Sequence, residues 1–167
     1  MRSLLTLSLA AALAAPLSAQ ADDYAGLRIF TPTAFAPTPI PCGAIVCTPD
    51  SLTATPGELV TALVQGVTGG IYFLAASLDV ANLGCLNLAA PGLFNELTLP
   101  PGSSVLLSFG TLTQSDNGRC NGGAELIPLF TIPQGITGAL AFQAASDTPL
   151  STGGDGLALS NTVIMNF

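Results

Sequence analysis

The chain has no histidine, no tryptophan and no lysine; three arginines are its side-chain cations. Without His, neither a Ser-His-Asp triad nor a Cys-His pair can form. Without Lys, Ser-Lys catalysis and Schiff-base chemistry are excluded as well. Missing Trp removes the strongest stacking platform for sugars. No G-x-S-x-G elbow, Walker-type phosphate loop or G-x-G-x-x-G turn occurs. Paired carboxylates are the remaining catalytic option. The three Glu, Glu58, Glu96 and Glu125, are scattered. Asp147-Thr148-Pro149 is not the D-T-G of an aspartic dyad. The reading is a non-enzymatic chain with no catalytic residue and no cofactor.

Charge narrows the partners. The chain carries a net −7. Phosphate recognition needs clustered Lys or Arg, so no nucleic-acid partner is expected, nor an anionic membrane surface. The same chain is 49% apolar, far above the composition of disordered proteins. It therefore folds, and its solvent face must draw on Thr, Ser, Asn, Gln and Gly. That surface suits strands better than helices, whose exposed faces are usually Glu and Lys.

The first residues look built for export. Arg2 precedes an apolar stretch from Leu4 to Leu17, and Ala19-Gln20-Ala21 forms an A-x-A cleavage signal. The stretch is shorter than the roughly 20 apolar residues of a membrane span. Cleavage after Ala21 gives a signal peptide over 1–21 and a secreted, periplasmic or extracellular chain with no integral membrane segment. It would retain two cations against ten carboxylates, a net −8.

Four cysteines, Cys42, Cys47, Cys85 and Cys120, follow the signal. An even number in an exported chain reads as two disulfides. The nearest-neighbour pairing, Cys42–Cys47 with Cys85–Cys120, is the expected one among the three that four cysteines allow. Their spacings do not match a metal site. Asp116-Asn117-Gly118 and Asp155-Gly156 are oxygen-rich turns, but both fall short of a calcium loop, and turn chemistry accounts for them. No metal ligand is assigned.

Residues 22–41 hold one strand candidate, Leu27-Arg28-Ile29-Phe30, then four prolines up to Pro41. They read as an extended N-terminal arm before a domain over 42–167. Turn signals then bound short apolar runs at Glu58–Gln65, Ile71–Leu78, Phe94–Leu99, Ser103–Leu112, Ala139–Ala145 and Leu157–Phe167. Period-two alternation puts Phe142 and Ala144 on one face. It also puts Val105, Leu107 and Phe109 on one face, and Leu157, Leu159, Val163 and Met165 on another. The expected fold is all-β: a single-domain antiparallel β-sandwich, Ig-like or jelly-roll-like, of about eight strands. Gln143 and Asn161, polar residues in apolar strands, are expected to satisfy each other or an edge backbone group.

Phe142-Gln143-Ala144 and Leu159-Ser160-Asn161, with Ile71-Tyr72-Phe73-Leu74 and Leu83-Gly84 before them, resemble a pattern in exported bacterial β-domains. The resemblance spans residues 51–167. It implies a secreted all-β module and carries over no functional residues. Three functions follow: a structural, adhesive or surface-assembly module; a ligand- or carbohydrate-binding domain; or a small outer-membrane β-barrel. A protein or cell-surface partner is expected, with self-association through the N-terminal arm or an edge strand. A long uncovered edge strand favours assembly; a concave polar pocket favours ligand binding.

Overall fold

The computed structural model describes residues 25–37, 47–87, 93–94, 96–115, 122–149 and 155–167. The cleavage site, Cys42, Cys120 and the Asp116 turn lie outside them. In chain order the strands are β1 (Gly26–Phe30), β2 (Phe35–Ala36), β3 (Asp50–Thr53), β4 (Leu59–Gly66), β5 (Ile71–Ser77), β6 (Leu86–Asn87), β7 (Leu93–Phe94), β8 (Glu96–Leu97), β9 (Ser104–Thr111), β10 (Gln114–Ser115), β11 (Gly123–Thr131), β12 (Ala139–Pro149) and β13 (Asp155–Asn166). One 3-10 turn, Val80–Asn82, interrupts them.

The strands form two main sheets. The first runs β10-β11-β4-β1-β2 and the second β3-β13-β12-β5-β9, while β6 and β8 make a small separate ladder. Pairing is antiparallel except along the far flank of β13, where β3 and β7 run parallel to it. The main sheets face each other and are not closed into a ring. The fold is a β-sandwich, and this excludes the outer-membrane barrel.

The alternating residues of both sheets fill the space between them. Leu27 and Ile29 from β1 and Val60, Ala62 and Val64 from β4 meet Leu74 and Ala76 from β5, Phe142 and Ala144 from β12, and Val163 and Met165 from β13. Side chains of this size contribute about 1.5–3 kcal/mol each when fully removed from water. Gly66 and Gly123 pair where the chain is crowded. A Cβ on Gly123 would sit 2.8 Å from the Thr68 Cα and 2.9 Å from the Leu112 Cβ, so no larger residue fits there.

Three expectations need correction. The boundary between arm and domain is misplaced. β1 pairs with β4 along its whole length, and Leu27 and Ile29 are fully buried, so residues 25–37 belong to the sandwich. The apolar pair inside the supposed arm outweighs the prolines that follow it. Second, β11 is not among the runs bounded by turn signals. Pro128 lies within it, next to a register shift between Pro128 and Phe130, where a missing N–H is tolerated. Third, Leu159 does not share a face with Val163. A register shift in the β12–β13 pair, between Gln143 and Ala145, turns the chain over.

Candidate functional site

The β12–β13 irregularity is where the polar residues gather. Ala144 has no partner residue in β13. Its N–H donates instead to the Ser160 hydroxyl at 2.8 Å, and that hydroxyl donates to the Asn161 carbonyl at 2.7 Å. One side chain thus closes the gap that a β-bulge opens in a ladder.

Asn161 points across the sandwich. Its Oδ1 accepts from the Leu27 N–H and its Nδ2 donates to the Leu27 carbonyl, both at 3.0 Å. β2 pairs only with Ile29 and Phe30, so among the described residues Leu27 has no strand neighbour on that side. The amide supplies the donor and the acceptor that a strand would have supplied. The Asn161 side chain also hydrogen-bonds the Asp50 carboxylate. Burial pushes the Asp50 pKa up, and this hydrogen bond only partly offsets that.

Gln143 points to the outer face of the second sheet. Its Oε1 accepts from the N–H of Thr98 at 3.0 Å and of Leu99 at 3.3 Å, and its Nε2 donates to the Ser160 carbonyl at 3.0 Å. The segment 97–101 is thereby strapped over the sheet. Beneath it lies a cleft of about 280 Å³, floored by Phe73, Ala75, Ala145 and Leu159 and walled by Leu97 and Leu99. Gln143 and Ser104 are its polar lining residues; the Gln143 amide is committed to the strap and the Ser104 hydroxyl donates to the Pro100 carbonyl. The cleft is apolar, not the polar concavity that a sugar requires. As expected, Gln143 and Asn161 bond backbone groups; they do so on different neighbours rather than on each other.

The strand beside this cleft has a different surface. β9 pairs with β5 and, among the described residues, with no other strand. Its side chains lie open: Val105 is 60% exposed, Leu106 57% and Phe109 71%. Alternation predicted one buried face for this run. Neither face is buried, because β9 ends its sheet and the facing sheet does not cover it. Register places Phe109 opposite Phe73 and Leu106 opposite Ala75, both on the outer face, and Val105 opposite the core residue Ala76, so the irregularity at Leu107 puts Val105 and Phe109 on opposite faces rather than on the shared one expected. The apolar character of the run was visible in the sequence; its position at an edge was not.

The remaining candidates are not brought together. Glu58 lies just before β4 and accepts from the Thr55 N–H at 2.9 Å. Hydrogen bonds, that of the Thr33 hydroxyl foremost, hold its pKa down. Glu125 is opposite Val64 near the other end of β4 and accepts from the Thr113 hydroxyl. Six residues of strand separate these positions, roughly 20 Å, well beyond the 5–9.5 Å or so of a glycosidase pair. Among the described residues, no three His, Cys, Asp or Glu cluster as a metal site would require. Asp155 opens β13 opposite Pro149.

The nearest-neighbour disulfide pairing is overturned. Cys47 is bonded to Cys85, with Cα atoms 5.4 Å apart. The reason lies on the flank of β13. β3 pairs parallel to its C-terminal part and β7 to its N-terminal part, so the residues leading into β3 run toward β7 and the adjoining β6–β8 ladder. Cys47 and Cys85 meet there.

Comparison with known proteins finds no matching family model, no matching curated protein and no matching solved structure.

Proposed function

We propose that this chain is an exported, non-enzymatic β-sandwich module with a structural, adhesive or surface-assembly role, engaging a protein or cell-surface partner through a strand edge. The observation that carries this reading is β9: eight residues long and uncharged, with Val105, Leu106, Leu107 and Phe109 open to solvent. Such an edge offers a row of backbone donors and acceptors to an incoming strand, with apolar side chains to hold it. Export and cross-linking are consistent with it, since a Cys47–Cys85 bond persists in oxidising compartments. The missing His and Lys remove the commonest nucleophile–base pairs, and the resemblance to exported β-domains points the same way.

The ligand-binding alternative has less support. The cleft beneath residues 97–101 suits an apolar group and offers no free polar cluster to orient a sugar. Two measurements test the proposal. In fractionation, the mature chain is expected outside the cytoplasm and soluble without detergent. Phe109→Lys is expected to lower the fraction of the chain recovered in complexes larger than the monomer while leaving its melting temperature near wild type. Substrate turnover by the purified chain, lost on replacing a single carboxylate, would overturn the reading.

A further inference from the structure

The edges of the two main sheets are unequal. β2 and β10 have two residues each and β3 has four. Each is short, and the run of β11 that β10 leaves uncovered carries Glu125, Pro128 and a register shift, ways in which β-proteins blunt an edge. β9 has eight residues, Ser-Val-Leu-Leu-Ser-Phe-Gly-Thr. It contains neither charge nor proline, the other common guards. Its one irregularity is at Leu107, between the Ser108–Leu74 and Leu106–Ala75 pairs.

We infer that the partner at this edge is β9 of a second copy, paired antiparallel about a two-fold axis. The inference rests on the assembly reading and names its partner. Charge comes first. The chain carries a net −7, so two copies repel wherever acidic surfaces meet. Ser104–Thr111 has no carboxylate, so a second copy meets no like charge there, and a basic partner finds nothing to pair with. Composition is the second argument. Leu106 and Phe109 face outward beside the cleft, while Val105 is on the core side. An added strand must therefore bring apolar side chains to cover Leu106 and Phe109, as a second β9 does. Symmetry is the third. An antiparallel pairing of one edge with itself obeys a two-fold axis and satisfies both rows of backbone groups. It closes after one step, using up the β9 edge of both copies. The contact is small, below about 1,200 Å², in the class of weak and transient interfaces. The dimer is thus expected to dissociate on dilution.

The test uses residues 22–167 in sedimentation equilibrium over a wide concentration range. Wild type is expected to double its mass on concentration. Leu106→Lys and Leu106→Glu should each raise the dimer dissociation constant at least about tenfold. Mixing the two variants should restore association, because the mixed pair lacks the like-charge repulsion that each variant meets in its own copy. Leu106 is exposed, so both should fold; Phe109→Lys and Phe109→Glu serve as a second pair. A wild-type monomer at every concentration, or a dimer indifferent to both pairs, overturns the inference. An alternating Val-Thr peptide, titrated in parallel, separates the two readings. If it binds to a monomeric chain and Leu106→Lys abolishes the binding, the second-copy inference falls while the assembly reading stands with another partner. No dimer and no peptide binding removes both.

Discussion

Replacing Asn161 with Ala strips the donor and the acceptor from Leu27, a residue 134 positions away. Both backbone groups are buried, and each costs about 1–3 kcal/mol when left unpaired. Asn161→Ala is therefore expected to destabilise by about 2–4 kcal/mol in urea melts, more than an exposed Asn would. Thr162, one residue on, is the opposite case: its hydroxyl is buried with no hydrogen-bond partner. Thr162→Val keeps the shape and removes the desolvated oxygen. The same melts should show it neutral or stabilising, by up to about 1 kcal/mol. Asp50 adds a pH dependence. Burial raises its native pKa above the ordinary 3.8. Below pH 3.8 the carboxyl is protonated in both states and makes no difference. As pH rises toward the raised native value, the unfolded chain releases the proton more readily, and folding loses stability. Asp50→Asn should thus match wild type in acid and melt higher at neutral pH. The gain should be under about 1 kcal/mol, because the carboxyl is only partly buried and solvent screens it.

Among the strands, β9 and β12 show how far local pattern reaches. Both have alternating sequences, and the β12 residues Phe142 and Ala144 are in the core as their period implies. β9 has the same kind of pattern and an exposed surface, because burial depends on what lies across from a strand. No property of Ser104–Thr111 itself says that its sheet ends there. β11 fails in the other direction: Pro128 argues against a strand locally, and the bulge beside it makes the strand possible. The strap over residues 97–101 was equally hidden. Gln143 stands out in the sequence as a polar residue between Phe142 and Ala144, but its acceptors and donors, Thr98, Leu99 and Ser160, come from elsewhere in the chain. Gln143→Ala is expected to cost about 1–3 kcal/mol. It should also raise hydrogen exchange at the Thr98 and Leu99 amides while leaving the β4–β11 ladder protected.

For the molecule as a whole, scarcity of cations decides what holds it together. Arg28 lies on the outer face of the first sheet, where its Nε donates to the Pro37 carbonyl and its guanidinium lies 5.8 Å from the Phe35 ring centre. It is spent on fastening β2 rather than on an ion pair. Stability must come from the shared apolar core and from cross-links. The Cys47–Cys85 bond spans 38 positions, a closure worth about 4 kcal/mol on the chain-entropy model. Reductant is therefore expected to lower the melting temperature strongly, whereas added salt should move it little. A melt indifferent to reductant would show that the bond does not stabilise the fold.

The amino-acid sequence by itself determined the all-β class. It excluded histidine- and lysine-based chemistry and marked Gln143 and Asn161 as residues needing partners. These conclusions depend on composition and on a period-two pattern, both of which are local. The tertiary structure alone decided that Cys47 meets Cys85, that Asn161 stands in for a strand beside Leu27, and that β9 is an open edge. Each depends on segments far apart in the chain arriving side by side. Their positions follow from closing two sheets over one core, not from the residues that happen to meet there.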